Sequence, residues 1–288
     1  MSKRPQFSPD QAAQLAYDLY DLTVTAVALP SDRDQNFLLT APTAQFVLKI
    51  AGQAEQPDVL DFQNQAIAHL RRHDHLADLL PDVRPALNGE LMPTVTAVDG
   101  QKYLARLVTY LPGVPLAKVN PHTPDLLHDF GRVLGEVDAA LQEFGHPAMD
   151  RYLHWDLTRA ADTISRHCHH LGNPARRALV ERHLADFVAH VAPRLPELRR
   201  SVIHSDGNDY NVLVTPDARQ PRRIAGLIDF GDMVYACTVF DLAIAAAYVM
   251  MDKPDPLAAA AHLVAGYHAA LPLTDLELEL LYPLLLAR

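Results

Sequence analysis

The apolar positions fall into two different rhythms along the chain. Early on, three short runs, TVTAVAL from Thr23, NFLLT from Asn36 and FVLKI from Phe46, have strand lengths and are separated by SDRDQ and APTAQ, which suits an antiparallel meander. Ser8 and Pro9 precede an apolar-periodic run from Ala12 to Tyr20, the signature of a capped first helix. Leu60, Ile67 and Leu70 among polar residues predict a second helix over 59–72, and two further strands are expected around 94–98 and 103–109. The rhythm breaks at LPGVPL (111–116) and the polar NPHTPD that follows. From 126 to 201 Leu, Val and Ala recur at helical spacing, short strands return at SVIHSD, NVLVT and IAGLIDF, and helices resume from about Asp241. The expectation is an α+β chain: a small antiparallel sheet with a helix at 1–110, then a larger, mostly helical part at 111–288.

Composition narrows the partners. The chain has 288 residues and a formal charge of −10, from 25 Lys plus Arg against 35 Asp plus Glu. A chain of that size buries roughly three quarters of its unfolded surface and needs no staples. No stretch clusters the Lys and Arg that nucleic-acid backbones require, so nucleic acid is not an expected partner, whereas the acidic balance suits capture of a small cation. No long apolar stretch follows the basic N-terminal residues, so neither signal peptide nor membrane span is predicted, and cytoplasm is the default. Cys168 and Cys237 make no disulfide framework.

The densest chemical signal is IHSDGNDYNVLV followed by GLIDFGD. Asp206 and Asn211 are five apart in a turn-rich stretch between apolar runs, so the loop can aim both side chains at one point. Asp229 ends an apolar strand, where a buried carboxylate is expensive unless paired or bound to metal. Carboxylate and amide oxygens with room for phosphate and water are what Mg²⁺ takes, and a further carboxylate can orient a hydroxyl toward a phosphoryl group. The plainer alternative is that Asp206, Asn208, Asp209 and Asn211 are turn-formers serving their own backbone. Lys49, inside the apolar FVLKI, either emerges on a solvated face or holds a point charge over phosphates.

These motifs resemble the aminoglycoside phosphotransferase and choline kinase superfamily, small-molecule relatives of the protein kinases, over essentially the whole chain. DQNFLL, HSDGNDYNVLV and GLIDFGDMV look most like the hydroxylysine kinase branch. The resemblance implies a bilobal protein-kinase-like fold, with 1–110 the nucleotide-binding lobe and 111–288 the catalytic and substrate-binding lobe. It implies Asp206 as catalytic base, Asn211 and Asp229 as Mg²⁺ ligands, Lys49 on the phosphates of ATP or GTP, and a hinge in TYLPG whose backbone at Tyr110 and Leu111 holds the base. The implied acceptor is a hydroxyl of a small amine or amino acid, hydroxylysine-like, with an aminoglycoside phosphotransferase or a non-catalytic nucleotide-binding module as alternatives. Similar domains also occur fused to an aminotransferase-like domain, which is a further expectation for the neighbourhood of this chain.

The pattern departs from the family in places. SDRDQN has no glycine, so phosphate grip falls to backbone amides around 34–36 or to the Gln35 and Asn36 side chains. The helix that should present a glutamate to Lys49 offers Gln63, with Asp61 or Glu55 as substitutes. Asp232 and Asp209 are candidate partners for a substrate amine, and Trp155 and Tyr210 candidate walls, although Trp155 could equally be core packing. Asp156 could cap the helix after it. Asp241, in VFDLAIAA, is expected to support the catalytic loop by accepting backbone amide hydrogens. Which arginine would meet a substrate carboxylate, Arg33, Arg151 or Arg159, stays open. The run His167, Cys168, His169, His170 has the wrong spacing for a closed zinc site and reads as a helix end. DLELELLYPLLLAR (275–288) stops while still apolar at Leu284, Leu285 and Leu286, which raises the expectation that the chain was cut from a longer protein.

Overall fold

The computed structural model describes residues 4–31, 33–217 and 219–288. The opening stretch weighed as a leader includes residues 1–3, which lie outside the described residues, as does Asp32 of the first strand connection. The chain divides into two compact units. One extends to Arg72 and resumes over Leu80–Leu111; the other comprises His73–Leu79 and Pro112–Arg288.

The first unit begins with helix α1 (Pro9–Tyr20), closed by a capping box in which Ser8 Oγ accepts from Gln11 N and the Gln11 carboxamide accepts from Ser8 N. Strands β1 (Thr25–Leu29), β2 (Gln35–Thr40) and β3 (Gln45–Ile50) form the expected meander, followed by helix α2 (Pro57–Leu70). The short helix α3 (Asp74–Ala77) then intervenes as part of the other unit, before β4 (Val83–Arg84), β5 (Thr94–Thr96) and β6 (Lys102–Thr109). All pairings are antiparallel, in the order β1-β2-β3-β6-β4 with β5 also on β6. Alternation along the strands separates two faces. Phe37, Leu39, Leu48, Ile50, Ala105 and Leu107 bury one against Ala12, Ala16 and Tyr20 of α1. The other face carries Asn36, Lys49 and Arg106 in one row, because Asn36 pairs with Lys49 and Lys49 with Arg106.

In the second unit β7 (Val114–Pro115) leads to helix α4 (Pro124–Leu141), which ends well before 201. The expected long helices over 126–201 are instead fragments: α5 (Ala160–His167), α6 (Pro174–Asp186), a π turn at Phe187–Val191 and a 3-10 turn at Ala192–Glu197. Gly145, Pro147, Gly172, Pro174, Pro193 and Pro196 interrupt what the apolar spacing alone suggests, and α6 buries none of its residues. Strands β8 (Arg200–Ile203), β9 (Val212–Val214), β10 (Ile224–Leu227) and β11 (Val234–Cys237) make two small sheets, β10-β9-β7 and β11-β8. Helices α7 (Val239–Met250), α8 (Pro256–Ala270) and α9 (Asp275–Ala287) complete it. In α9 Leu284 is buried while Leu286 is exposed, so the final apolar run is partly covered.

Glycine sets the closest helix contact. A Cβ on Gly131 of α4 would lie 1.9 Å from the Leu263 carbonyl oxygen, and one on Gly266 of α8 would lie 1.9 Å from that of His128. The two backbones therefore touch, and α7, buried along most of its length, packs against both helices. Among the described residues no helix is long and apolar enough to cross a membrane.

Candidate active site

Strands β8 and β9 frame the loop 204–211, and each polar residue in it has a distinct partner. Asp241, three residues into α7 and fully buried, accepts from His204 N at 2.9 Å and Ser205 N at 2.6 Å. That anchors the backbone where Ser205 takes a left-handed conformation (φ 65°), which a non-glycine residue holds only when its surroundings impose it. His204 accepts from Asp206 N at Nδ1 (3.3 Å), so Nε2 carries the proton that goes to the Ile228 carbonyl (3.1 Å). Its ring packs edge-on against Phe230 at 4.8 Å. His204 thus joins the HSD and IDFG motifs, a role its place in the sequence did not suggest.

Asn208 is the turn-former, its side-chain oxygen accepting from Tyr210 N (2.8 Å) and Asn211 N (3.2 Å). Asn211 behaves differently. Its Nδ2 donates to the Asp206 carbonyl (3.0 Å) and to Asp206 Oδ2 (2.7 Å), which turns Oδ1 away from Asp206. Ile228 N donates to the Asn211 carbonyl at 2.9 Å, so Asp229 stands one residue beyond a backbone pairing with Asn211. The Asn211 amide oxygen and the Asp229 carboxylate, on segments joined by that backbone bond, are the donor types that a hard divalent cation takes. Asp229 is exposed, not buried as its apolar approach suggests. Strand β10 stops at Leu227 and the chain turns left-handed at Asp229 (φ 63°), carrying the carboxylate outward.

Burial pushes the Asp206 carboxyl above the ordinary carboxylate range; the negative charge of Asp232 adds to the rise, while the Asn208 side chain and Arg288 oppose it. Arg288 Nη2 lies 3.7 Å from Asp206 Oδ1 and 3.3 Å from the Tyr248 hydroxyl, with the guanidinium 5.6 Å from the Tyr248 ring centroid. Sequence reasoning missed this arginine, because 82 residues separate it from the loop. Asp232, half-buried, closes the short turn Phe230–Asp232, and Arg151 donates to the neighbouring Gly231 carbonyl at 3.0 Å. Asp209 is half-buried and its carbonyl accepts from Ala117 N. Tyr210 is exposed. Trp155 is 49% exposed and edge-on to His154, which removes core packing as its role, while Asp156 caps the next turn by accepting from Thr158 N. Arg159 stacks on Tyr152 at 4.4 Å.

In the first unit Lys49 is half-buried beside Arg106. Arg106 is 5% exposed and donates to Asn64 Oδ1 (2.9 Å) and Gln63 Oε1 (2.8 Å). The glutamine that stands where a glutamate is expected therefore serves this buried guanidinium, a residue the sequence did not single out. Asn36 Oδ1 is buried with no hydrogen-bond partner among the described residues; as an acceptor it cannot grip phosphate, which leaves that task to Nδ2 or to backbone amides. Gln35 is committed elsewhere: its side chain accepts from Phe7 N (2.7 Å) and donates to the Phe7 carbonyl (2.8 Å), fastening the N-terminal segment. Tyr110 N donates to the Gln45 carbonyl, so of the two residues expected to meet a nucleotide base Tyr110 has its amide already engaged.

Comparison with known proteins bears on the family. The model of the phosphotransferase enzyme family matches residues 25–276. A hydroxylysine kinase from Danio rerio is 33% identical over 298 residues, spanning 99% of this chain and 82% of that protein. A hydroxylysine kinase from Mus musculus is 29% identical over 306 residues, spanning 100% and 81%. Among solved structures, a microcompartment-associated aminopropanol kinase superposes with TM-score 0.75 at 23% identity, covering 96% of this chain and 87% of that one. An amicoumacin kinase bound to AMP-PNP and Ca²⁺ superposes with TM-score 0.72 at 16% identity, covering 98% and 84%. None of these matches supports an adjoining aminotransferase-like domain. With a sheet-bearing N-terminal part, a helical C-terminal part and the family match over most of its length, the chain belongs to the phosphotransferase enzyme family.

Proposed function

We propose that this small-molecule kinase transfers the γ-phosphoryl group of ATP or GTP to the hydroxyl of a small amino acid of the hydroxylysine type. The observation that carries the reading is the Asp206–Asn211 pair: a base whose Oδ2 is held at 2.7 Å by an amide whose own oxygen faces the other way. Asp206 accepts the acceptor hydroxyl's hydrogen and orients its oxygen for in-line attack. Asn211 Oδ1 and the Asp229 carboxylate would hold Mg²⁺, which would supply positive charge to offset that of the transferring group. Lys49, in the nucleotide-binding lobe at 1–110, supplies a point charge to the phosphates, Leu111 meets the base, and the catalytic and substrate-binding lobe is 111–288.

A substrate amine is met by Asp232, with Asp209 nearby in sequence and Tyr210 and Trp155 as apolar walls. Arg288 is the arginine we assign to an α-carboxylate. It lies beside Asp206, and its guanidinium keeps donors beyond the single bond to Tyr248. The relatives named hydroxylysine kinase support the acceptor class. The test is a transfer screen of hydroxylysine, ethanolamine, choline, homoserine and an aminoglycoside panel, each with ATP and with GTP. Preferred transfer to hydroxylysine is expected; transfer to aminoglycosides with none to the small amines would replace the reading.

A further inference from the structure

Behind the catalytic loop lies a second carboxylate that the proposed reaction does not use. Asp138, on α4, is fully buried. Its Oδ2 accepts from the Tyr267 hydroxyl of α8 at 2.5 Å, whereas Oδ1 is buried with no donor among the described residues. The group it faces is Asp241, also fully buried, and the two side chains are within hydrogen-bonding reach. Two carboxylates can share a hydrogen bond only if one carries a proton, and two anions in contact without water are prohibitively costly.

The surroundings decide which one holds it. Both Asp241 oxygens accept backbone N–H groups, from His204 and Ser205, and such bonds favour the anion. Asp138 has one hydroxyl donor on one oxygen and an orphan on the other. The charged groups facing the pair are few. Arg199 contributes from before β8, but its guanidinium is spent on both oxygens of Glu277 in α9 (2.9 and 2.6 Å) and on the Pro272 carbonyl. The His204 ring is engaged by Asp206 N and the Ile228 carbonyl. Tyr267, from α8, is a neutral donor whose own ionisation is pushed upward by burial. We propose that Asp138 is a neutral carboxylic acid whose proton on Oδ1 is donated to Asp241, making it a positioning residue for the catalytic loop. The third hydrogen bond locks the orientation of the Asp241 carboxylate and, through it, the left-handed turn at Ser205 that presents Asp206. Burial, followed by the charge of Asp241, raises the Asp138 carboxyl well above its ordinary range, in keeping with this geometry.

The role within catalysis rests on the kinase reading, whereas the shared proton does not. Asp138→Asn keeps a donor toward Asp241 and an acceptor for Tyr267, so it should retain kcat and remove any alkaline loss that the wild type shows. Asp138→Leu removes the donor and should lower kcat by about 10- to 100-fold, the loss expected for a hydrogen bond to a charged group, with nucleotide Kd unchanged. A kcat loss in Asp138→Asn as large as in the leucine variant would show that the anion is needed and overturn the proposal. If the leucine variant does not fold, the asparagine variant decides alone. Infrared spectroscopy reads the proton without any acceptor: the wild type should show a protonated-carboxyl C=O stretch that Asp138→Asn lacks. Absence of that band would overturn the proposal even if the protein is an active kinase, and its presence in a protein that transfers nothing would leave the shared proton standing while the kinase reading falls.

Discussion

Asp206 has a carboxyl raised by burial, and the base must be ionised to work, so the acid limb of kcat/KM should fall at a pH above the ordinary value of about 3.9. Because the negative charge of Asp232 contributes to that rise, Asp232→Asn should move the limb to lower pH; a pH–rate profile with an unmoved limb would contradict the assignment. Asp206→Asn should cost about 10² to 10⁴ in turnover while leaving nucleotide affinity near normal, checked by steady-state kinetics alongside nucleotide titration. Asp229→Ala should weaken Mg²⁺-nucleotide binding as well as turnover, and calorimetry finding unchanged affinity would move the metal elsewhere. The contact between Asp206 and Asn211 is legible in the sequence, because a spacing of five in a polar, strand-flanked loop lets both side chains meet. The contacts of Arg106, Arg288 and His204 are not. Their partners lie 42, 82 and 24 residues away respectively, and no local pattern distinguishes them from solvated side chains.

At the level of elements the first unit follows its sequence closely, since strands of strict length between turn-rich links leave few alternatives, and α1 is declared by its Ser8 cap. After α4 the apolar spacing predicts long helices, but Gly and Pro cut the stretch into turns, and α6 buries nothing that would anchor a periodic face. Asp229 shows the same limit on a smaller scale, because an apolar strand predicts burial up to its last residue and the left-handed turn reverses that. The α4–α8 crossing gives a direct test. Gly266→Ala places a methyl 1.9 Å from the His128 carbonyl oxygen, so the helices must separate, at a cost of about 1–3 kcal/mol or more. The melting temperature should fall, and since Tyr267 is the next residue, turnover should fall with it; an unchanged melting temperature would show that the contact is loose. The buried acid gives a second test. Folded Asp138 keeps a proton that the unfolded chain releases above the ordinary carboxylate range, so its contribution to stability is complete at acid pH and is lost as pH rises toward its elevated folded value. Melting curves should show that alkaline decline in the wild type and not in Asp138→Asn.

For the whole molecule, sequence supplied the family, the sheet-then-helices order and the acidic charge of −10, which suits a cationic acceptor but identifies none. The structure adds Arg288 beside Asp206 and a carboxylate, Asp232, in the adjacent motif, a pair of opposite charges suited to a zwitterion. Arg288→Gln should therefore raise KM for hydroxylysine and leave the decarboxylated diamine analogue little affected, a comparison of kcat/KM ratios that a purely structural arginine would not shift. Phosphoryl transfer to a small hydroxy amino acid through Asp206 can be followed with phosphorus NMR in a mixture of hydroxylysine, Mg²⁺ and either ATP or GTP. A new phosphomonoester resonance is expected with wild type and its near-absence with Asp206→Asn; an equal yield from both proteins, or no phosphomonoester from the wild type with either nucleotide, would rule out this chemistry.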